Sequence, residues 1–196
     1  MRFILAAVLL LPILPLLADV VYTYDFQTLP EDWTADPEWS FGSGGAAVAV
    51  SASGGPPVSN YAMMESDSEP IMLPAGTDSV LIQVSQDHTL DGYFTTGEAY
   101  ASVYGWAYHN GSSLTLFSFS QSWGFPYRSS RDTSSVSFPA EEGDYLAFKF
   151  SVYASAFGGS ATSTLQIYYM TVTAYVNTAI ENSTWADIKA AEYAKR

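Results

Sequence analysis

Residues 98–120 have the sequence EAYASVYGWAYHNGSSLTLFSFS, which is the clearest hairpin pattern in the chain. Large and small side chains alternate on the N-terminal side of Asn110-Gly111, and a run rich in Leu, Phe and Ser follows it. Residues two apart on a strand face the same way, so an alternating segment predicts a strand with two different faces. Asn-Gly suits a two-residue turn in which both central residues have a positive φ. We therefore predict an antiparallel hairpin of residues 98–109 and 113–120.

The rest of the chain repeats this pattern between stretches rich in Gly, Ser and Pro. Further strands are predicted at residues 20–26, 46–51, 60–64, 79–86, 134–138, 144–154 and 164–176. In the segment 144–154, four apolar side chains share one face, whereas Lys149 and Ser151 share the other, so we expect this strand to be half buried. About nine short strands with no helical segment between them predict an all-β chain, a two-sheet antiparallel β-sandwich.

Both ends of the chain differ in composition from this central region. Residues 1–18 have a basic start, an uninterrupted apolar run and a small residue before Asp19, which is the order of a secretory signal peptide. The apolar run is short for a membrane span of about 20 residues. Residues 178–196 are rich in Ala, Lys and Glu and predict a short C-terminal helix. We therefore expect a secreted or cell-surface β-sandwich domain of residues 19–177, with no membrane span after signal cleavage.

The charge of the chain excludes several classes of function. Twenty acidic and seven basic residues give a formal net charge of −13. Such a chain lacks the basic surface that nucleic-acid binding needs, and anionic membranes repel it. It also has no cysteine, which excludes a disulfide scaffold, a thiolate metal site and a cysteine nucleophile.

A series of landmarks near the N-terminus carries a resemblance. In order they are Tyr24-Asp25-Phe26, Leu29-Pro30, Trp33 and Trp39-Ser40-Phe41. They resemble the start of MAM-like and cleaved-adhesin-like jelly-roll domains, although Gln27 stands where those domains have Glu. The hydrophobic pattern of residues 22–176 is similar to theirs throughout. The resemblance implies a concanavalin-like jelly roll of an exported bacterial surface protein, used for adhesion or glycan binding and without catalytic activity.

Four large aromatic side chains share one face of the predicted strand 98–109: Tyr100, Tyr104, Trp106 and Tyr108. A flat row of such rings can stack on sugar rings, because the C–H edges of a pyranose pack against π-faces. We expect Trp123, near the end of the partner strand, to join them as a ligand-binding residue. The sequence leaves an alternative open, in which these rings form the core and the small residues between them face outward.

Three carboxylates alternate with serine in Glu65, Asp67 and Glu69. On a strand all three would face one way. Retaining glycosidases need two carboxyl groups about 5–5.5 Å apart, so the array is a candidate for a glycan hydrolase. Carboxylate oxygens are also the ligands that Ca²⁺ prefers, and Ca²⁺ is the one metal ion that the sequence suggests as a cofactor. The remaining alternative is a solvated loop.

The two histidines offer little support for other chemistry. His88 and His109 stand in no recognisable catalytic context, and the Gly-x-Ser-x-Gly nucleophile motif is absent from the sequence. We therefore predict a non-catalytic binding or adhesion module whose partner is a polysaccharide or another surface protein. The alternatives are a self-assembling subunit of a surface layer or filament, with residues 19–26 as a donated strand, and the hydrolase described above.

Overall fold

A computed structural model of the chain describes residues 19–66, 71–122 and 128–176, which belong to one compact unit. These residues contain ten strands and no helix. The strands are β1 Val20–Tyr24, β2 Trp33–Ala35, β3 Ser40–Gly42, β4 Gly45–Gly54, β5 Val58–Ser66, β6 Ile71–Met72, β7 Thr77–His109, β8 Ser112–Ser122, β9 Arg128–Pro139 and β10 Tyr145–Val176. The predicted signal peptide and C-terminal helix lie outside the described residues.

Two of the strands are far longer than the sequence pattern predicted. Residues 79–86 and 98–109 were expected to form separate strands, but both belong to β7, which has 33 residues. In the same way, residues 144–154 and 164–176 fall largely within β10, which has 32 residues. The two strands pair antiparallel along almost their whole length, from Leu146 opposite His109 to Val176 opposite Thr77. The prediction of separate short strands was therefore wrong at these two places.

The long strands divide the sheet into two halves. In one half, which we call the β8 half, the strand order is β2, β5, β10 (residues 145–157), β7 (residues 98–109) and β8. In the other, the β9 half, it is β3, β4, β10 (residues 159–176), β7 (residues 77–94) and β9. Strand β1 pairs with the end of β10 next to β4. All of these pairings are antiparallel, which confirms the predicted all-β antiparallel architecture, although one curled sheet supplies both layers.

Glycines form the corner at which β7 and β10 pass from one half to the other. Gly97 and Gly158 both have positive φ values, of 116° and 67°. A Cβ on Gly158 would lie 1.7 Å from the Thr96 carbonyl oxygen, and one on Gly159 would lie 2.2 Å from the Tyr93 carbonyl oxygen. The backbones thus approach each other more closely than any side chain allows, and this approach requires glycine.

The inner faces of the two halves form one apolar core. Val80, Ile82 and Val84 are completely buried on the β9 half, as the alternation of residues 79–86 predicted. Three of the N-terminal landmark residues, Phe26, Trp33 and Trp39, also lie in the core, whereas Leu29 is exposed. The Trp33 ring stacks on both Phe148 and Phe150, at centroid distances of 6.1 and 6.0 Å. These rings link the start of the chain to the middle of β10.

The predicted hairpin is confirmed and held at its turn by one carboxylate. Asn110 and Gly111 have φ values of 48° and 80°, as the turn requires. Asn110 donates its side-chain N–H to Asp144 Oδ1 at 2.6 Å, and His109 Nε2 lies 2.7 Å from Asp144 Oδ2. The Glu141 amide donates to the same Oδ2 at 2.9 Å. The hydrogen bonds from Asn110, Glu141 and His109 lower the pKa of Asp144 from 3.8 to about 2.

The corner yields a stability prediction. We expect Gly158→Ala to lower the free energy of unfolding by at least about 2 kcal/mol, because the new Cβ meets the Thr96 carbonyl and the positive φ is strained as well. Urea unfolding followed by Trp fluorescence measures the change. Gly143→Ala is the matched control: its φ is 82°, but no atom lies near the new Cβ, so the loss should be only about 1 kcal/mol. Equal losses in the two variants would show that the close approach contributes nothing.

Asp144 yields a prediction on pH. A carboxylate whose pKa is lowered by folding stabilises the protein above its ordinary pKa and loses this effect as the pH falls through the lowered value. We therefore expect Asp144→Asn to lower the Tm at neutral pH, and the difference from the wild type to shrink between pH 3.8 and about 2. Thermal unfolding at a series of pH values tests this. Glu142→Gln, at an exposed carboxylate in the same turn, is the control and should leave the Tm at neutral pH close to that of the wild type.

Candidate functional site

The aromatic row of β7 lies on the outer face of the β8 half. Tyr100, Tyr104, Trp106 and Tyr108 are each half buried, whereas Ala99, Ala101, Val103 and Ala107 on the opposite face are buried in the core. Of the two arrangements that the sequence left open, the structure thus has the one in which the small residues face inward. Their small size lets the β9 half pack closely beneath this strand. The rings consequently stand on the accessible side of the sheet.

Strand pairing places a second set of outward-facing side chains opposite these rings. Across the ladder, Ser151 pairs with Tyr104 and with Met63, and Tyr153 pairs with Ser102 and with Tyr61. The serines are short. Ser151 lies between Tyr104 and Met63 across the ladder, and Ser102 lies between Tyr100 and Tyr104 along β7. The result is a groove of about 410 Å³. Its side-chain walls and floor are formed by Tyr61, Met63, Tyr100, Tyr104, Trp106 and Tyr153, with Lys149, Ser102 and Ser151.

The groove continues along the strands beyond Tyr100 and Tyr153. These two residues also line a neighbouring depression of about 470 Å³, together with Glu98, Ser122 and Ser155. The rings of Tyr100 and Tyr153 lie 5.9 Å apart and are tilted by 58°. Because the two depressions share this pair, they form one elongated surface that we call the aromatic groove. Its combined size falls within the range of roughly 300–1,000 Å³ that is usual for ligand pockets.

The rings are arranged differently from the flat row that the sequence suggested. The Tyr104 and Trp106 rings have centroids 5.1 Å apart and an interplanar angle of only 14°. Two rings this close cannot lie side by side in one plane, so they stack in parallel with a lateral offset. Each ring therefore covers only part of one face of the other, and a ligand has access to the outer faces and to the ring edges.

A pair of phenol groups joins two of the rings. The Tyr100 and Tyr104 hydroxyl oxygens are 2.9 Å apart. Burial raises the pKa of Tyr100, but the hydrogen bond with Tyr104 and the neighbouring Ser102 and Ser120 hydroxyls outweigh burial and leave the pKa below its ordinary value. The hydrogen bond to Tyr100 and burial raise the pKa of Tyr104. The hydrogen bond between them fixes both side chains in the groove and leaves further lone pairs and ring edges for a ligand.

An ion pair lies beside Trp106. Lys149 pairs with Trp106 on one side of β10 and with Glu65 on the other, and its Nζ lies 3.2 Å from Glu65 Oε2. About a third of each side chain is exposed. The pair supplies one donor and one acceptor at this end of the groove, with no net charge.

The structure brings together only some of the residues that the sequence singled out. Tyr100, Tyr104 and Trp106 line the groove, whereas Tyr108 lies one step beyond Trp106, opposite Ala147, and is not part of its lining. Trp123 lies outside the described residues.

The acidic array is placed only in part. Of its three carboxylates, the structure describes Glu65, at the end of β5. Asp67 and Glu69 lie outside the described residues, so their proposed part in a Ca²⁺ site or in hydrolysis stays a prediction. Among residues 19–66, 71–122 and 128–176, no three His, Asp or Glu side chains are grouped as metal ligands.

The two histidines lie in different surroundings. His88 is buried, stacked on Phe119 at a centroid distance of 3.9 Å, and burial lowers its pKa. His109 belongs to the Asp144 cluster at the hairpin turn.

Sequence reasoning missed the opposite wall of the groove. Tyr61 is 69% exposed, and Tyr153 is half buried on the same face. The alternation of residues 144–154 does place Tyr153 on the polar face with Lys149 and Ser151. Which strand lies beside Tyr153, however, depends on the long-range pairing of β5 with β10, and no local pattern reveals that pairing.

Comparison with known proteins gives only distant structural likenesses. No protein-family model matches the sequence, and no curated protein matches it significantly. Among solved structures, a xylan-binding module described as CBM15 is similar with a TM-score of 0.38 and 12% identity, covering 82% of this chain and 100% of the other.

Two further solved structures resemble the chain in the same way. The C-terminal CBM6 of LamC, a marine laminarinase from Zobellia galactanivorans, gives a TM-score of 0.27 and 14% identity, covering 79% of this chain and 99% of the other. A carbohydrate-binding module specific for non-crystalline cellulose, CBM28, gives 0.32 and 8%, covering 70% and 84%. These scores and identities are low, so we base the function on the side chains of the groove.

The phenol pair yields a titration prediction. Replacing Tyr104 with Phe removes a hydrogen bond that lowers the pKa of Tyr100, so we expect the pKa of Tyr100 to rise. Two-dimensional ¹H–¹³C spectra of protein labelled with ¹³C in its tyrosine rings, recorded through an alkaline titration, resolve Tyr100 among the 14 tyrosines of the chain and measure this. Tyr175→Phe, on the other half of the sheet, serves as the control and should leave the titration of Tyr100 unchanged. A Tyr100 pKa that is the same in Tyr104→Phe and the wild type would contradict the hydrogen bond.

Proposed function

We propose that the protein is a non-catalytic carbohydrate-binding module and that it binds a polysaccharide in the aromatic groove. The observation that carries this proposal is the outward orientation of Tyr100, Tyr104 and Trp106, opposite Tyr61 and Tyr153, along an elongated open surface. A chain of sugar rings fits such a surface because it is itself elongated and has alternating apolar faces and hydroxyl edges.

The groove has the two kinds of contact that sugars need. The outer faces of the Trp106 and Tyr104 rings pack against the C–H groups of a pyranose. Phenol and serine hydroxyls, together with the Lys149 ammonium and the Glu65 carboxylate, donate and accept hydrogen bonds at the edges of the sugar. These polar groups fix the orientation of the ligand, while ring contacts supply most of the buried area.

The charges in the groove and on the whole chain indicate which class of polysaccharide would bind. The one lysine in the groove is neutralised by Glu65, and Glu98 adds a carboxylate at the other end. The chain as a whole carries a net charge of −13. A polyanionic glycan would be repelled at long range and would find no unpaired cation in the lining described here. We therefore propose an uncharged polysaccharide as the ligand.

The setting of the protein is proposed from its sequence. Residues 1–18 have the pattern of a secretory signal, so we propose that the domain is exported and acts outside the cell or at its surface. Among the described residues, no helix is long and apolar enough to cross a membrane. A polysaccharide at the cell surface is accessible to such a domain, and adhesion through it is the role that this setting favours.

The two other candidate functions have less support in the described residues. Glu65 is held in an ion pair with Lys149, and the other carboxylates proposed for hydrolysis are not described. For self-assembly by strand donation, β1 would have to leave its place beside β10, where Val20 pairs with Ala174 and Tyr24 with Met170. Both alternatives stay predictions from the sequence.

Replacing Trp106 tests the proposal directly. We expect Trp106→Ala to weaken binding of a neutral hexaose by about tenfold or more, because the outer ring face is lost. The fold should persist, with a loss of about 1–2 kcal/mol of stability, since the ring is half exposed. The assay is isothermal titration calorimetry of residues 19–196 with cellohexaose, xylohexaose and laminarihexaose.

Tyr175→Ala is the matched control, since it removes an exposed aromatic ring on the other half of the sheet. The affinity of Tyr175→Ala for the hexaoses should equal that of the wild type. Polygalacturonate tests the expected preference for uncharged chains. If no hexaose binds, or if Trp106→Ala binds as tightly as the wild type while folded, the proposed site is wrong.

A further inference from the structure

A second groove, of about 540 Å³, lies on the outer face of the β9 half. We propose that this groove is a second binding site for an uncharged polyhydroxylated chain, so that one domain engages two polysaccharide strands on its opposite faces. The site is argued from its own side chains and does not depend on the aromatic groove.

The floor of this polar groove consists of two neighbouring cross-strand rows. One row is Ala47, Gln166, Asp87 and Arg131, and the other is Ala49, Thr164, Thr89 and Ser129. The residues between the rows face the core: Val48, Leu165 and His88 are buried. The members of both rows consequently point outward. Because the two alanines are short, the surface is depressed along β4.

The wall at one side is held rigidly in place. Trp39 is buried, so its neighbours Glu38 and Ser40 face the other way, into the groove. Ser40 Oγ donates to the Ala47 carbonyl at 3.1 Å, and Gln166 Nε2 donates to the Gly44 carbonyl at 2.9 Å. A Cβ on Gly45 would lie 2.0 Å from the Ile167 carbonyl oxygen, so the turn between β3 and β4 rests directly on β10. The wall is thus formed before any ligand arrives.

The polar atoms of the groove that have no partner among the described residues indicate the class of ligand. In the part of the chain that the structure describes, neither Asp87 nor Glu38 has a hydrogen bond or an ion pair through its carboxylate, and the amide oxygen of Gln166 is also unused. Threonine and serine hydroxyls lie between these acceptors. A carboxylate accepts hydrogen bonds from two adjacent hydroxyls of one sugar ring, and the hydroxyls both donate and accept. A ligand rich in O–H donors therefore satisfies the groove.

Other ligand classes fit less well. Anions are repelled by the two carboxylates. The neighbouring base, Arg131 beside Asp87 in the ladder, lies over the Tyr168 ring at 4.3 Å from its centroid and is not part of the lining. A metal ion such as Ca²⁺ needs six to eight oxygen ligands, and the described residues include no group of three acidic or histidine ligands. The volume of about 540 Å³ is also much larger than an ion requires.

Nuclear magnetic resonance locates the two sites separately. Uniformly ¹⁵N-labelled residues 19–196 are titrated with the neutral hexaose that binds best in the calorimetric assay. We expect two groups of amides to shift, one around residues 100–106 and 149–153 and the other around residues 47–49, 87–89 and 164–166. Ala49→Tyr fills the polar groove from an exposed position, and the second group should then stop shifting while the first still does.

A gentler variant tests the chemistry of the polar groove. Asp87→Asn keeps the shape of the side chain but removes its charge and replaces one acceptor oxygen with an N–H donor, so affinity at the second site should fall about tenfold. Asp91→Asn, the next outward-facing carboxylate along β7, lies outside the lining and should have no effect. With Trp106→Ala, the first group of shifts should require about tenfold or more hexaose to reach its midpoint, while the second group stays as in the wild type.

The outcomes separate the two proposals. Shifts confined to residues 100–106 and 149–153, unchanged by Ala49→Tyr, would overturn the second site and leave the aromatic groove supported. Shifts confined to the polar groove would do the reverse. A folded protein in which neither group of amides responds to any of the three hexaoses would overturn both.

Discussion

The antiparallel ladder between β7 and β10 is the interaction on which the rest of the structure depends. It runs through both halves of the sheet, and every other strand pairs with one of these two strands or with a strand that does. Because the ladder bends at Gly97, Gly158 and Gly159, the two halves remain hydrogen-bonded to each other while they pack face to face. A change at this corner therefore affects both layers together, and we expect the domain to unfold as one cooperative unit.

The same ladder explains why both grooves lie on outer faces. On the β8 half, Ala101 and Val103 face inward and allow close packing, so Tyr100 and Tyr104 must face outward. On the β9 half the inward positions carry Val80 and Ile82, and the outward positions carry hydroxyls and carboxylates. A strand with two different faces thus carries the core on one face and a groove on the other. The chemistry differs between the halves because the outward residues are aromatic in one and polar in the other.

The local sequence pattern predicted the strands and the hairpin, but it did not predict how the strands pair with one another. Asn110-Gly111 specified its turn correctly, since a positive φ is a local requirement. The alternation of residues 98–109 showed that Tyr100, Tyr104 and Trp106 share a face, but not whether that face is inside, because both sets of residues are apolar. Tyr61 lies in the groove because β5 pairs with β10, and these two strands are far apart in the sequence. The continuity of β7 was missed because Gly97, which normally signals a break, here permits a bend.

The two ends of the described domain lie side by side. Val20 pairs with Ala174, and the Val176 amide donates to Asp19 Oδ1 at 3.3 Å. A tension that separates these ends acts along the direction of the hydrogen bonds and loads them one after another, so β1 would peel from β10 at a modest force. The corner and both grooves are held by other pairings. Under tension between its two ends, the domain would thus lose the β1–β10 pairing first, while the corner and both grooves stay folded.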